Sequence, residues 1–382
     1  MTRTLAAAAA LAILAAAGAG PAAACAICLS AVSVSAADEL DAADRAVLAA
    51  PEGDGFSVVA VLKGDGAEGE AIPASALLPA PAPGLALLLV HNAFTGGWKS
   101  LGAALPESAG WLRQVANAPA LAPDPEHPHQ AAAGPALDAR LALALPRLED
   151  ADPMVAELAH DQVALAPYAA LPALADDLDA AEMRGFVAAP GVGSRRPVYI
   201  LLLGAAGGPE DAAAIEARLD AGRRAHDATD LAALIAADLE LRGPERLPWV
   251  EATYLADRGR DLAEIEAALA ALVVQGDADA TVPRADIVAA FRRFIRARPG
   301  MAGFVAPELA HWQAWEASGD YAALIEAGAV RDPAEEFAIR SYLAQSPDPA
   351  AKAARSQCPR PRPRPRRAGS RRASCATRCC TS

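Results

Sequence analysis

Between Cys28 and Cys358 the chain has no cysteine. That absence excludes disulfides and cysteine-held metals over most of its length. Aromatic residues are also scarce, at 4%, although 53% of the chain is hydrophobic. Much of the apolar content is alanine, which favours thin, closely packed helices over a broad aromatic core. A β-rich chain would need more Val, Ile, Tyr and Phe. Past the N-terminus no run is long and charge-free enough to span a bilayer, so no transmembrane span is expected.

Familiar catalytic signatures are missing too. Neither G-x-S-x-G nor H-E-x-x-H occurs. Gly96-Gly97 is followed by Lys99-Ser100 without phosphate-loop spacing. Gly191-Val192-Gly193-Ser194 and Gly204-Ala205-Ala206-Gly207 lack a strand–turn–helix frame. His160, His226 and His311 are far apart in helix-forming sequence, and His127 and His129 lie in a Pro-rich stretch with no convincing third ligand. Glu149, Asp150 and Asp152 lack the Gly-centred loop of a calcium site and read as a helix cap. The chain is therefore expected to be no enzyme, with no cofactor, no catalytic residue and no metal ligand.

What is present begins with an address. Met1–Ala24 has Arg3, an apolar stretch from Leu5 to Ala17 and Ala22-Ala23-Ala24 before a cleavage point, which is the pattern of a signal peptide. The mature protein is expected in the periplasm or secreted. Cys25 and Cys28 then stand as a Cys-x-x-Cys pair. Three readings stay open for it: a local disulfide, a redox or metal function, or lipidation of Cys25 that tethers a lipoprotein.

The net charge of −13 hides two unlike parts. Ala351–Ser382 carries ten Lys or Arg and no acid, so the 350 residues before it carry −23. An acidic body argues against nucleic-acid binding. The basic tail, residues 347–382, is expected to be disordered. It reads either as a polycationic arm or as the product of a shifted reading frame.

Residues 25–118 read as a small β-rich module. Ala37–Ala50 starts helical and ends as a strand, Phe56–Leu62 is a strand, Glu70–Leu78 a candidate strand, and Leu85–Val90 a buried one. His91–Gly102 reads as a Gly-rich loop carrying Trp98. The Cys pair, Ala43–Leu48, Phe56–Asp65 and Leu85–Val90 together resemble the OB-like netrin or metalloproteinase-inhibitor (TIMP) module. That resemblance implies a small closed barrel. Protease-inhibitor-like binding is the activity it would bring, though members pair their N-terminal cysteines with later ones that this chain lacks.

After a Pro-rich linker at 119–136, residues 137–346 read as successive helices. Asp152-Pro153 is an N-cap followed by proline at the first helical position. Gly208-Pro209, Gly243-Pro244 and Asp332-Pro333 repeat the device, and Asp332 with Glu335 has capping-box spacing. Pro167 should end the first helix, with Tyr168–Leu178 restarting the pattern. Arg196–Ala206 is expected to be the most buried helix. Leu262, Ile265, Leu269 and Leu272 form a stripe with Asp261, Glu264 and Glu266 outside it; Ile287, Phe291, Phe294 and Ile295 form another. Trp312, Trp315 and Tyr321 should cap the end of a stack. The Asp150–Val163 segment resembles a HEAT-repeat helix start, and the region resembles exported bacterial HEAT-repeat proteins. That resemblance implies an α-α superhelix whose surface binds another protein, here one of the cell envelope.

Overall fold

The computed structural model describes residues 34–73, 78–94, 96–122, 124 and 131–355. Cys25, Cys28, the signal segment, His127, His129 and residues 356–382 lie outside the described residues. The chain forms two compact units, one ending at Arg298 and the other beginning at Pro299. Both are mostly helical apart from one sheet near the start.

That sheet is antiparallel and five-stranded, in the order β3-β2-β1-β4-β5. Its strands are β1 (Arg45–Glu52), β2 (Gly55–Lys63), β3 (Ala71–Ile72), β4 (Ala86–His91) and β5 (Trp98–Ala104). The outer strands β3 and β5 do not pair, so the expected closed barrel is instead an open sheet. Register shifts in β1 and β4 bend it, because an extra residue on one side of a ladder increases local twist. Ile72 and Trp98, from opposite edges, both pack on one small core with Phe56, Val58 and Leu87.

The central strands β1 and β4 are apolar on both faces, which is why they read as continuous hydrophobic runs. The second face carries Ala46, Leu48, Ala60 and Leu88. Three helices cover it: α1 (Ala36–Ala42), α2 (Ala109–Ala116) and α4 (Pro153–Ala164). Packing thus crosses the Pro-rich segment, because Met154, Val155 and Leu158 of α4 belong to the sheet's core. β5 is a correction to the expected loop at His91–Gly102. It is half-exposed along most of its length, so it lacks the apolar run that marks β4.

The remaining helices of the first unit are α3 (Pro135–Ala144), α5 (Ala180–Ala188), α6 (Arg196–Ala206), α7 (Pro209–Ala225), α8 (Leu231–Arg242), α9 (Leu247–Val250), α10 (Leu262–Ala278) and α11 (Arg284–Ala297). A π-helical turn, Glu251–Ala256, continues α9. Helices α6, α8 and α10 pack side by side in a row. Gly204 permits the first contact, since a Cβ there would sit 2.8 Å from the Cα of Ala237. The most buried helix is α4, with ten of its twelve residues buried, and not α6, with seven of eleven. Periodicity could not reveal this, because α4 packs on several sides and its polar residues are buried with the rest. Tyr168–Leu178 is a second correction: it forms two 3₁₀ turns, Tyr168–Ala170 and Pro172–Asp177. Pro167 and Pro172 remove two helical donors only five residues apart.

The stripe on α11 is as expected, with Ile287, Phe291, Phe294 and Ile295 all buried. On α10 the expectation fails at two places. Leu262 is 53% exposed, and Glu264, at 1%, is buried.

The second unit holds α12 (Ala306–His311), α13 (Ser318–Ala327), α14 (Pro333–Gln345) and α15 (Pro349–Arg355). Its core is aromatic. Tyr321 and Tyr342 lie 4.9 Å apart by ring centroid, and Trp315 packs 5.2 Å from Tyr342. Each buried phenol donates to a backbone carbonyl, Tyr321 to Ala302 at 2.9 Å and Tyr342 to Ala314 at 2.6 Å. Such pairing offsets the cost of burying a hydroxyl. Among the described residues no helix is long and apolar enough to cross a membrane.

Candidate docking cleft

An open cleft of about 780 Å³ lies between α3 and the segment running from the 3₁₀ turns into α5. Helix α3 begins at Pro135, whose missing N–H costs nothing at a helix start. It is fixed from beneath by Arg140, which is buried. The guanidinium donates to both oxygens of Asp41 at 2.7 and 3.0 Å, to Gln162 Oε1 at 3.0 Å and to the Pro119 carbonyl at 2.8 Å. A buried guanidinium is tolerated because its donors are met.

The opposite wall is pinned by a polar network that sequence reasoning missed. Tyr168 opens the first 3₁₀ turn, and its hydroxyl donates to Glu240 Oε2 at 3.0 Å. Gln275 Nε2 donates to the Tyr168 oxygen at 2.8 Å, and Thr281 Oγ1 donates to Glu240 Oε1 at 2.6 Å. These partners lie on or just after α8 and α10, so the turn is tied to the helix row. Farther along, Asp179 caps α5 by accepting from the Ala181 amide at 2.8 Å. Both walls are therefore set before anything binds.

The floor is apolar: Leu137, Leu141, Leu145, Leu174, Leu178 and Met183. The rim is acidic, with Asp138 on α3 facing Asp177, Asp179 and Glu182 on the other wall. No Lys or Arg is among the described lining residues. An aspartate three residues after Pro135 and an acid-rich run at 176–182 are visible in the sequence; their convergence is not.

Several other titratable groups of the first unit are committed to structure. Asp152 accepts from the Met154 amide at 3.0 Å through one oxygen, and from the Leu105 amide at 2.8 Å and Ser108 Oγ at 2.6 Å through the other. It therefore caps α4 and ties it to the end of β5. Asp150 accepts from the Asp152 amide and Arg147, which hold its carboxyl below the ordinary range. Glu149 accepts from Tyr199 and Arg195. The Arg184 guanidinium beside Asp211 likewise holds that carboxyl low. Asp238, fully buried, lies between Arg242 at 2.8 Å and Arg246 at 2.5 Å.

The histidines show one grouping that sequence separation concealed. His226, Asp261 and Glu264 bring ligand-type atoms within 4.8 Å of one another, the one such described group able to hold a metal ion. Glu264 is already engaged. It accepts from His226 Nδ1 at 3.0 Å, the Asp261 amide at 3.0 Å and Arg260 Nη1 at 2.8 Å. Burial pushes its carboxyl up, but those three donors outweigh burial and hold it below the usual range. The arrangement braces the start of α10. His160 is buried, 4.0 Å from Asp161, and belongs to no group able to hold a metal ion among the described residues.

No protein-family model matches the chain, and no curated protein or solved structure is found to be similar to it.

Proposed function

We propose that this chain is an exported, non-enzymatic binding protein that holds a segment of another envelope protein in the α3–α5 cleft. One observation carries the reading: an open apolar cleft has braced walls, while the acids and histidine clustered elsewhere in the first unit are spent on caps and ion pairs. Enzymes keep such groups poised with perturbed titration and an open position beside them. Asp150, Asp211 and Glu264 of the first unit are instead held low, because arginines and amides already occupy them. The side-by-side row of α6, α8 and α10 supports reading the helical part as a short HEAT-like solenoid. Export rests on the Met1–Ala24 pattern.

A photocrosslinking residue at Ala142 or Ala173, both exposed on the cleft, tests the reading in cells that express the chain. A discrete adduct is expected from those positions and not from Leu262, an exposed residue away from the cleft. It should disappear when Leu174→Glu places a charge on the floor. Equal labelling from all three positions, or none, overturns docking at this cleft.

A further inference from the structure

The charge around the cleft specifies its occupant more closely. Several carboxylates of the first unit meet arginines: Asp211 and Glu210 pair with Arg184, Asp238 with Arg242 and Arg246, Glu264 with Arg260, Glu251 with Arg293. The acids of the rim do not. Asp138, Asp177, Asp179 and Glu182 form no ion pair with any described residue. Four like charges around one opening repel one another and gain from a cationic visitor. Their placement matters as much as their sign. All four are exposed at the edges, on both walls, while the floor between them is leucine and methionine. A cation on that floor would be desolvated without a partner, so the occupant's charge must sit at its ends and its middle must be apolar.

We propose that the occupant is a peptide segment of a partner protein in which apolar side chains are flanked by Lys or Arg. The proposal rests on the docking reading above and adds the chemistry of what docks. Long cationic side chains suit the geometry, because their stems cover apolar surface while the charged ends reach outward to the rim. The exposed alanines of the lining, Ala133, Ala142, Ala169 and Ala173, leave lateral room for a backbone, which an enclosed small-molecule pocket would not need. Nucleic acids and other polyanions are disfavoured by the same four charges.

The test uses the full chain and three labelled peptides followed by fluorescence anisotropy. One has a leucine-rich centre with lysines at both ends. The second replaces the lysines by glutamates, and the third keeps the lysines but replaces the leucines by serine. Only the first should bind, and its affinity should fall about tenfold between low and physiological salt, as exposed charge pairs are screened. The triple variant Asp138→Asn, Asp177→Asn, Glu182→Gln should weaken it by a similar factor. Asp179 is kept, because it caps α5. Circular dichroism establishes that the variant is folded. Equal binding of the lysine and glutamate peptides, both lost in Leu174→Glu, overturns the basic partner and leaves docking intact. Binding of the lysine peptide that the triple variant does not weaken also overturns the proposal. Failure of all three peptides while Ala142 still crosslinks a partner overturns the charge rule alone. Failure of both experiments removes the docking reading itself.

Discussion

At Asp261-Leu262-Ala263-Glu264 in the first unit, the glutamate turns back and accepts the Asp261 amide at 3.0 Å. At Asp332-Pro333-Ala334-Glu335 in the second, the aspartate accepts the Ala334 amide at 2.7 Å, but the glutamate turns away and accepts the Gly303 amide at 2.5 Å. The two segments share spacing and chemistry, and both glutamates are buried. Their surroundings differ. Glu264 has Arg260 and His226 within hydrogen-bonding reach, and its carboxyl is held low. Glu335 meets one amide, and burial pushes its carboxyl above the ordinary value of 4.5, with the charge of Asp332 adding to the rise. A capping-box pattern therefore specifies where a helix begins. It does not specify whether its acid stabilises as an anion or costs as one.

Glu264→Ala should break the comparison most severely. It strands Arg260, which is nearly buried, and opens the start of α10, so a loss of about 3 kcal/mol is expected in urea denaturation. A loss below about 0.5 kcal/mol would mean that Asp257 and the Arg223 carbonyl hold Arg260 unaided. Gly303→Ala comes next. A Cβ there would lie 2.6 Å from Glu335 Oε2 and 2.8 Å from its Cα, so the backbone must shift, at about 2 kcal/mol. Hydrogen exchange should report the loosening in α14, and unchanged protection there would count against the close approach.

The pH dependence sharpens the contrast through opposite signs. The native carboxyl of Glu264 is depressed, so its contribution is present above 4.5 and fades as pH falls through the lowered value. That of Glu335 is raised, so its contribution is full below 4.5 and fades as pH rises through the raised value. Exchange protection of α10 should thus fall with acidification, while protection of α14 rises over the window just above 4.5. Protection that moves the same way in both helices would sink the assignment. The smallest effect is expected from Glu335→Gln. The amide keeps an acceptor for Gly303 without a buried charge, so stability at neutral pH should change by less than about 1 kcal/mol, toward stabilisation. The variant should also flatten the α14 pH response, and a persisting slope would place that titration elsewhere.

Much of the local structure was legible in the sequence. Asp152-Pro153 starts a helix, Leu85–Val90 contains a buried strand, and the α11 stripe buries the four residues its spacing marks. Each depends on neighbours within one or two turns. Legibility ended where the deciding partner was distant in sequence. Trp98–Ala104 became a strand because β4 offered an edge, although its own half-exposed pattern gives little sign of one. Leu262 faces water while Glu264 is buried, because His226, 38 residues earlier, and Arg260 supply its donors.

The cleft divides in the same way. The sequence alone determined its materials: prolines that start α3 and interrupt the 168–178 segment, leucines at helical spacing, and acids at 138 and 176–182. It also determined the acidic balance of the body and the helical character of most of it, since composition and periodicity act through short-range propensity and burial. Tertiary structure alone decided that the sheet stays open, that α4 lies buried between sheet and helices, and that Asp138 faces Asp177 across a leucine floor. Those outcomes depend on contacts such as Arg140 with Asp41 and Tyr168 with Glu240, made between residues 99 and 72 positions apart. Pairings across such separations leave no periodic trace in the chain that makes them.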